Sequence, residues 1–118
     1  MHNFRELNIW KESLQLSIDI SKLCNSFPDE EKFGLASQIR RSSVSIPSNI
    51  AEGSSRDSSK DFSRFLRISL GSSYELETKL IMAVELDYLS GNEELFDRLN
   101  KIQRQIFNFS KSLNNSKK

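Results

Sequence analysis

Between Leu95 and Leu113, apolar residues recur in alternating steps of four and three: Leu95, Leu99, Ile102, Ile106, Phe109 and Leu113. On a helix of 3.6 residues per turn all six fall on one side, whereas a strand would scatter them over both faces. This is the seam of a coiled-coil-like bundle, and such a helix cannot bury its stripe alone. The rest of the chain must therefore supply helical partners. Composition agrees: 4 Gly and 2 Pro are too few for a β-rich fold, and 36% hydrophobic with 28% charged residues supports an amphipathic globular chain rather than disorder. A length of 118 residues favours one domain, able to bury roughly 65% of its extended surface.

Three further periodic segments supply the partners. The first carries two stripes, Leu7, Trp10, Leu14 and Ile18 beside Ile9, Leu16, Ile20, Leu23 and Phe27, a wide arc for one helix. The second follows Pro28, which suits a first helical turn, and ends near Gly53 as a natural residue beyond a helix C-terminus. Pro47 inside it predicts a kink, with a full break as the competing reading. The third begins at Ser58, whose pairing with Asp61 resembles a capping box. Its central Ser69–Ser73 patch of small residues suggests close approach of a neighbouring helix. Gly91 and Asn92 divide it from the fourth segment. The expected helices span about 7–26, 28–53, 58–89 and 92–113, within one domain covering 1–118. Short loops cannot carry the chain back along a helix, so the expected fold is all-α: an antiparallel up-down-up-down four-helix bundle.

Several functions fall away. Cys24 is the single cysteine and His2 the single histidine, placed in an N-terminal segment expected to fray. A zinc site, a metal cofactor or a His-based catalytic centre is not expected. Glu75 and Glu77 point to different helix faces, and no Glu-x-x-His motif, phosphate loop or dinucleotide pattern is present. The expectation is a protein that is not an enzyme and needs no cofactor. The longest apolar run, Leu80–Val84, is far short of a membrane span. No secretion signal is visible, so a reducing cytoplasmic setting is expected.

The net charge of +1 conceals a gradient. Residues 71–97 carry 1 basic and 7 acidic side chains, whereas residues 98–118 carry 6 basic and none acidic. Residues 37–70 carry 6 basic and 3 acidic. In an up-down bundle, one end collects Arg56, Lys60, Arg64, Arg67, Lys111, Lys117 and Lys118. The other collects Asp29, Glu30, Glu31, Glu85, Asp87, Glu93, Glu94 and Asp97. Helix dipoles favour acids at helix starts and bases at helix ends. Lys60, Arg64 and Arg67 near the start of the third helix run against that preference. With Arg56 and Lys111 they are the candidate nucleic-acid contacts. Arg40, Arg41, Asn49 and Glu52 are the candidate polar network, with Arg40 or Arg41 fixing register against a carboxylate on a neighbouring helix, or contacting phosphate.

One set of motifs adds a resemblance. It comprises Leu7-x-x-Trp10, Phe27-Pro28-x-x-Glu31-x-x-Gly34-Leu35, Gln38-Ile39-Arg40-Arg41-x-x-x-Ser45-Ile46 and Asn49-Ile50-Ala51-Glu52-Gly53. Arg56, Phe62-x-x-Phe65-Leu66 and Gly71-Ser72-x-x-Glu75-Leu76-Glu77 follow in order. Together these resemble the 23S ribosomal RNA intervening-sequence protein family, over about Phe4 to Leu113. The resemblance implies a small bacterial all-helical protein. It also implies, through related accessory proteins of diversity-generating retroelements, a homo-oligomer of pentameric form that engages nucleic acid. The expected function is a non-enzymatic oligomer binding RNA or DNA through one basic end. The alternative is an interaction scaffold that docks a partner protein without nucleic acid.

Overall fold

A computed structural model describes residues 2–115. Four helices follow one another: α1 (Asn8–Leu23), α2 (Leu35–Ser54), α3 (Ser59–Glu85) and α4 (Glu93–Asn115). Short 3-10 turns at Phe4–Glu6, Cys24–Ser26 and Asp29–Glu31 complete the order, and there is no strand among the described residues. Each helix packs on its ring neighbours, most extensively α2 on α3 and least extensively α1 on α4, with α1 and α3 diagonal to one another. The bundle measures 50 × 23 × 20 Å.

Contacts at both ends fix the antiparallel arrangement. At one end the His2 N–H donates to the Ser54 carbonyl at 3.1 Å. The His2 ring lies 5.1 Å from Phe62 at the start of α3 and 6.0 Å from Phe109 near the end of α4. His2 was expected in a frayed segment; instead its backbone and ring are both engaged. At the other end the Tyr88 ring packs on Phe27 at 5.7 Å.

The core forms where the periodicity places it. Leu95, Leu99, Ile102, Ile106 and Leu113 of α4 are all buried, and so are Ile9, Leu16 and Ile20 of α1. The second stripe of α1 is the inward one. In the first stripe Leu7, Trp10 and Leu14 are half-buried and Ile18 is exposed. The buried polar set is mostly serine, and serine hydroxyls bridge helices at their crossings. Ser17 pairs with Ser43 at 3.0 Å, Ser63 with Ser110 at 2.7 Å, and Ser69 donates to the Ile46 carbonyl at 2.9 Å. Small side chains with one hydroxyl allow close backbones while satisfying the polar groups they bury. Across the loosest seam, ion pairs join Arg98 to Asp19 at 2.9 Å and Lys101 to Glu12 at 3.5 Å. Hydrogen bonding from Gln15, then from Arg98, holds the Asp19 carboxyl below its ordinary pKa.

Helix boundaries differ from the periodic reading at three places. First, α2 does not start after Pro28. Asp29–Glu31 form a 3-10 turn, and α2 begins only at Leu35. Glu31 sets this start: its Oε1 accepts the Leu35 N–H at 3.0 Å, and its Oε2 accepts the Tyr88 hydroxyl at 2.9 Å. Second, α3 ends at Glu85, short of Leu89. Asp87 adopts φ 62, while the Asp87 N–H bonds the Val84 carbonyl and the Tyr88 N–H bonds the Ala83 carbonyl. That is a Schellman cap with Asp where Gly is usual. Third, α2, which runs through Pro47 as one helix as first expected rather than breaking there, also includes Gly53 and ends at Ser54. Gly53 is therefore not a terminator but a crossing point: a Cβ there would sit 2.7 Å from Phe65 Cβ and 2.9 Å from Phe62 Cδ1. Gly71, expected at such a crossing, faces open space.

The Glu31 lock has a pH signature. The hydrogen bonds from Leu35 and then Tyr88 hold the Glu31 carboxyl below its ordinary value of 4.5. A carboxyl depressed in the folded state contributes its full stabilisation above its unfolded pKa and loses it as pH falls through the folded value. Wild-type protein is expected to lose stability below about pH 4.5, in the carboxylate range. Glu31→Gln should flatten that decline in urea midpoints measured across acid pH; an unchanged decline would contradict the lock.

Candidate nucleic-acid interface

The third helix opens on Ser58, whose Oγ accepts the Asp61 N–H at 3.0 Å. The reciprocal half of a capping box is diverted, because Asp61 Oδ1 accepts from Arg64 Nε at 3.0 Å. Asp61 Oδ2 lies 3.8 Å from Arg56 Nε. Arg56 is further held by Glu52 at 2.7 Å, one turn back on α2. Both guanidinium groups also stack on Phe65, with Arg56 Cζ 4.6 Å and Arg64 Cζ 4.5 Å from its ring centroid. Two cations are thus pre-positioned by one aromatic ring and two carboxylates, which lowers the ordering cost of using them.

The cleft that results has a volume of about 900 Å³ and lies between the α2–α3 turn, the first turns of α3 and the end of α4. Arg56, Lys60, Arg64 and Arg67 line it, with Asp57, Asp61 and Asn114. Lys60 and Arg67 form no ion pair among the described residues. Arg56 Nε is shielded from solvent and has no hydrogen-bond acceptor. Such a cleft offers donors and positive charge to an anion, and it opens at a helix N-terminus, where the dipole acts in the same sense.

Four of the five cations read from the sequence therefore meet in one cleft. Lys111 does not: its Nζ lies 5.5 Å from the Phe107 ring centroid, away from the lining. Lys117 and Lys118 lie outside the described residues. Asn114 was missed, and only the packing of α4 on α3 brings it there.

The four network candidates, all on α2, do not join into one network. Arg40 binds α1 and the turn after it, donating to Ser21 Oγ at 3.1 Å, the Ser21 carbonyl at 3.1 Å and Asn25 Oδ1 at 2.8 Å. It fixes register against neutral oxygens rather than a carboxylate. Asn49 turns back to Ser45, donating to its carbonyl at 2.9 Å, and Ser45 in turn meets Ser72 of α3 at 2.8 Å. Glu52 belongs to Arg56, and Arg41 is exposed. Arg40 faces α1, while Asn49 and Glu52, though three apart on one face, are each taken by another partner.

No helix among the described residues is long and apolar enough to cross a membrane. A search of curated proteins finds no match. The sequence model of the 23S rRNA-intervening sequence proteins matches residues 5–108, from the first 3-10 turn to the last turns of α4. The match takes in α1, α2, α3, most of α4 and the four basic residues that line the cleft, and the chain belongs to the 23S rRNA-intervening sequence protein family.

Proposed function

We propose that this protein is a non-enzymatic, homo-oligomeric helical bundle, acting in the cytoplasm, that binds the phosphate backbone of RNA or DNA through the cleft at its basic end. One observation carries the reading: Arg56, Lys60, Arg64 and Arg67 converge on a single cleft. Lys60 does so in the first turn of α3, where local stability disfavours a cation. Lys60 and Arg67 supply unpaired charge, while Arg56 and Arg64 supply oriented donors. Backbone contacts of this kind are sequence-tolerant and salt-sensitive. Assembly would multiply the site. Ile18, Tyr74 and Phe107 are large apolar side chains left exposed on the bundle, surface that subunit contacts can cover. The family resemblance supports a pentamer, in which several basic ends would face one ligand.

The test is a filter-binding titration with a structured RNA and a DNA duplex of equal length, at about 50 and 200 mM salt. Wild-type protein should bind at the lower salt and weaken at the higher. Arg64→Glu with Arg67→Glu should lose about tenfold affinity per reversed charge, about 1.4 kcal/mol each. Absence of binding at both salts, or binding indifferent to the double reversal, overturns the proposal.

A further inference from the structure

The opposite end of the bundle carries a second concavity with inverse electrostatics. The groove lies between the last turns of α3 and the first turns of α4 and has a volume of about 610 Å³. Ile81, Val84 and Phe96 supply its apolar floor, and Glu85, Glu93 and Asp97 its rim. Ile81 is 48% exposed, one of the large apolar side chains that the bundle leaves wetted. None of the three carboxylates forms an ion pair among the described residues. The end of the groove is open: Gly91 has nothing within 4 Å of where a Cβ would stand.

Glu93 opens α4, where the helix dipole favours an acid, but Glu85 on the same rim is not explained by local stability. The C-terminus of a helix is its negative end and favours cations. The last turn of α3 has no basic residue, its final residue is Glu85, and Asp87 follows in a left-handed conformation that Gly would adopt more readily. Thus the C-terminus of α3 carries an anion and no cation, against its dipole. An apolar floor with a rim of unpaired carboxylates, set between two antiparallel helices, matches helix-in-groove recognition.

We propose that this groove docks a cationic amphipathic helix of a partner protein, with apolar anchors three and four residues apart seated on Ile81, Val84 and Phe96 and Lys or Arg flanks paired with Glu85, Glu93 and Asp97. The rim repels nucleic acid. The basic stretch of a second copy is a poor occupant, because the apolar face of α4 (Ile102, Ile106) is buried in its own core. The proposal is independent of the nucleic-acid reading. If both hold, the bundle joins a phosphate backbone at one end to a basic protein at the other.

The experiment uses the full chain and a fluorescein-labelled helix of about 18 residues, five turns long, with Leu on one face and Lys on the other. Two control peptides accompany it, one with Glu for every Lys and one with the Leu positions scrambled. Anisotropy should show binding of the cationic amphipathic peptide, weakened by salt, and at least tenfold weaker binding of both controls. Ile81→Asp and, separately, the exposed Glu93→Lys should each weaken it at least tenfold while leaving RNA binding at the other end unchanged. Circular dichroism confirms that each variant is folded, and Glu93→Lys keeps the test valid if Ile81→Asp is not. Equal binding of the anionic or scrambled peptide, no binding of the cationic one, or indifference to Glu93→Lys overturns the proposal.

Discussion

Replacing Phe62 by alanine is expected to remove about 3–5 kcal/mol of stability and to lower the melting temperature by about 12–20 °C. Phe62 is 2% exposed and sits where four parts of the chain meet. Its ring is 5.4 Å from Phe109 of α4 and 5.1 Å from His2, both edge-on, and its Cδ1 borders Gly53 of α2. Edge-to-face pairs add to the transfer energy of so large a side chain. The same residue pins the first turns of α3, which carry Lys60 and Arg64, so the packing that stabilises the bundle also orders the cleft. Urea unfolding of wild type and variant measures the effect. A loss under about 1 kcal/mol, the size of an ordinary point substitution, would mean that the aromatic cluster is not packed as described.

Gly53→Ala is expected to destabilise the protein by about 1–3 kcal/mol, the usual cost of overpacking. The sign is the informative part, because Ala for Gly inside an exposed helix stabilises by about 1 kcal/mol. At Gly53 the added methyl would meet Phe65 Cβ at 2.7 Å and the Phe62 carbonyl oxygen at 3.3 Å, neither of which can swing away cheaply. Gly71→Ala is the internal control, since its methyl meets nothing within 4 Å and should raise stability. Opposite signs in paired thermal melts support the α2–α3 crossing at Gly53. Stabilisation by both substitutions would contradict it.

These two glycines mark where sequence stops being sufficient. Four helices were legible because each must bury a stripe, and the α4 stripe lands on buried positions from Leu95 to Leu113. Which glycine a neighbouring helix touches depends on rotation about helix axes, which a single periodic pattern does not specify. The start of α2 was hidden for a related reason. Its cap, Glu31, is itself held by Tyr88, 57 positions away. The end of α3 was misread because Gly91 is the stronger stop signal, yet Asp87 takes the left-handed position. The cleft shows the same division. Lys60, Arg64 and Arg67 were legible as one face because they are spaced by four and three. Lys111 was assigned to the correct end by its distance along the bundle, but its position around the axis carries it to Phe107 instead. Asp61, the acidic partner that orients Arg64, was within reach at a spacing of three and went unread as such.

Phosphate binding at this end rests most on Lys60 and Arg67, the two cations of the cleft that no carboxylate neutralises among the described residues. The direct measurement is the slope of log affinity against log salt for a structured RNA, compared between wild type and the exposed double variant Lys60→Gln with Arg67→Gln. If each cation displaces a counterion from the phosphate backbone, the slope should shrink by about 0.7–0.9 per residue removed, with the fold intact by circular dichroism. A slope unchanged by the double variant, in protein that still binds, would contradict phosphate recognition at this end of the bundle.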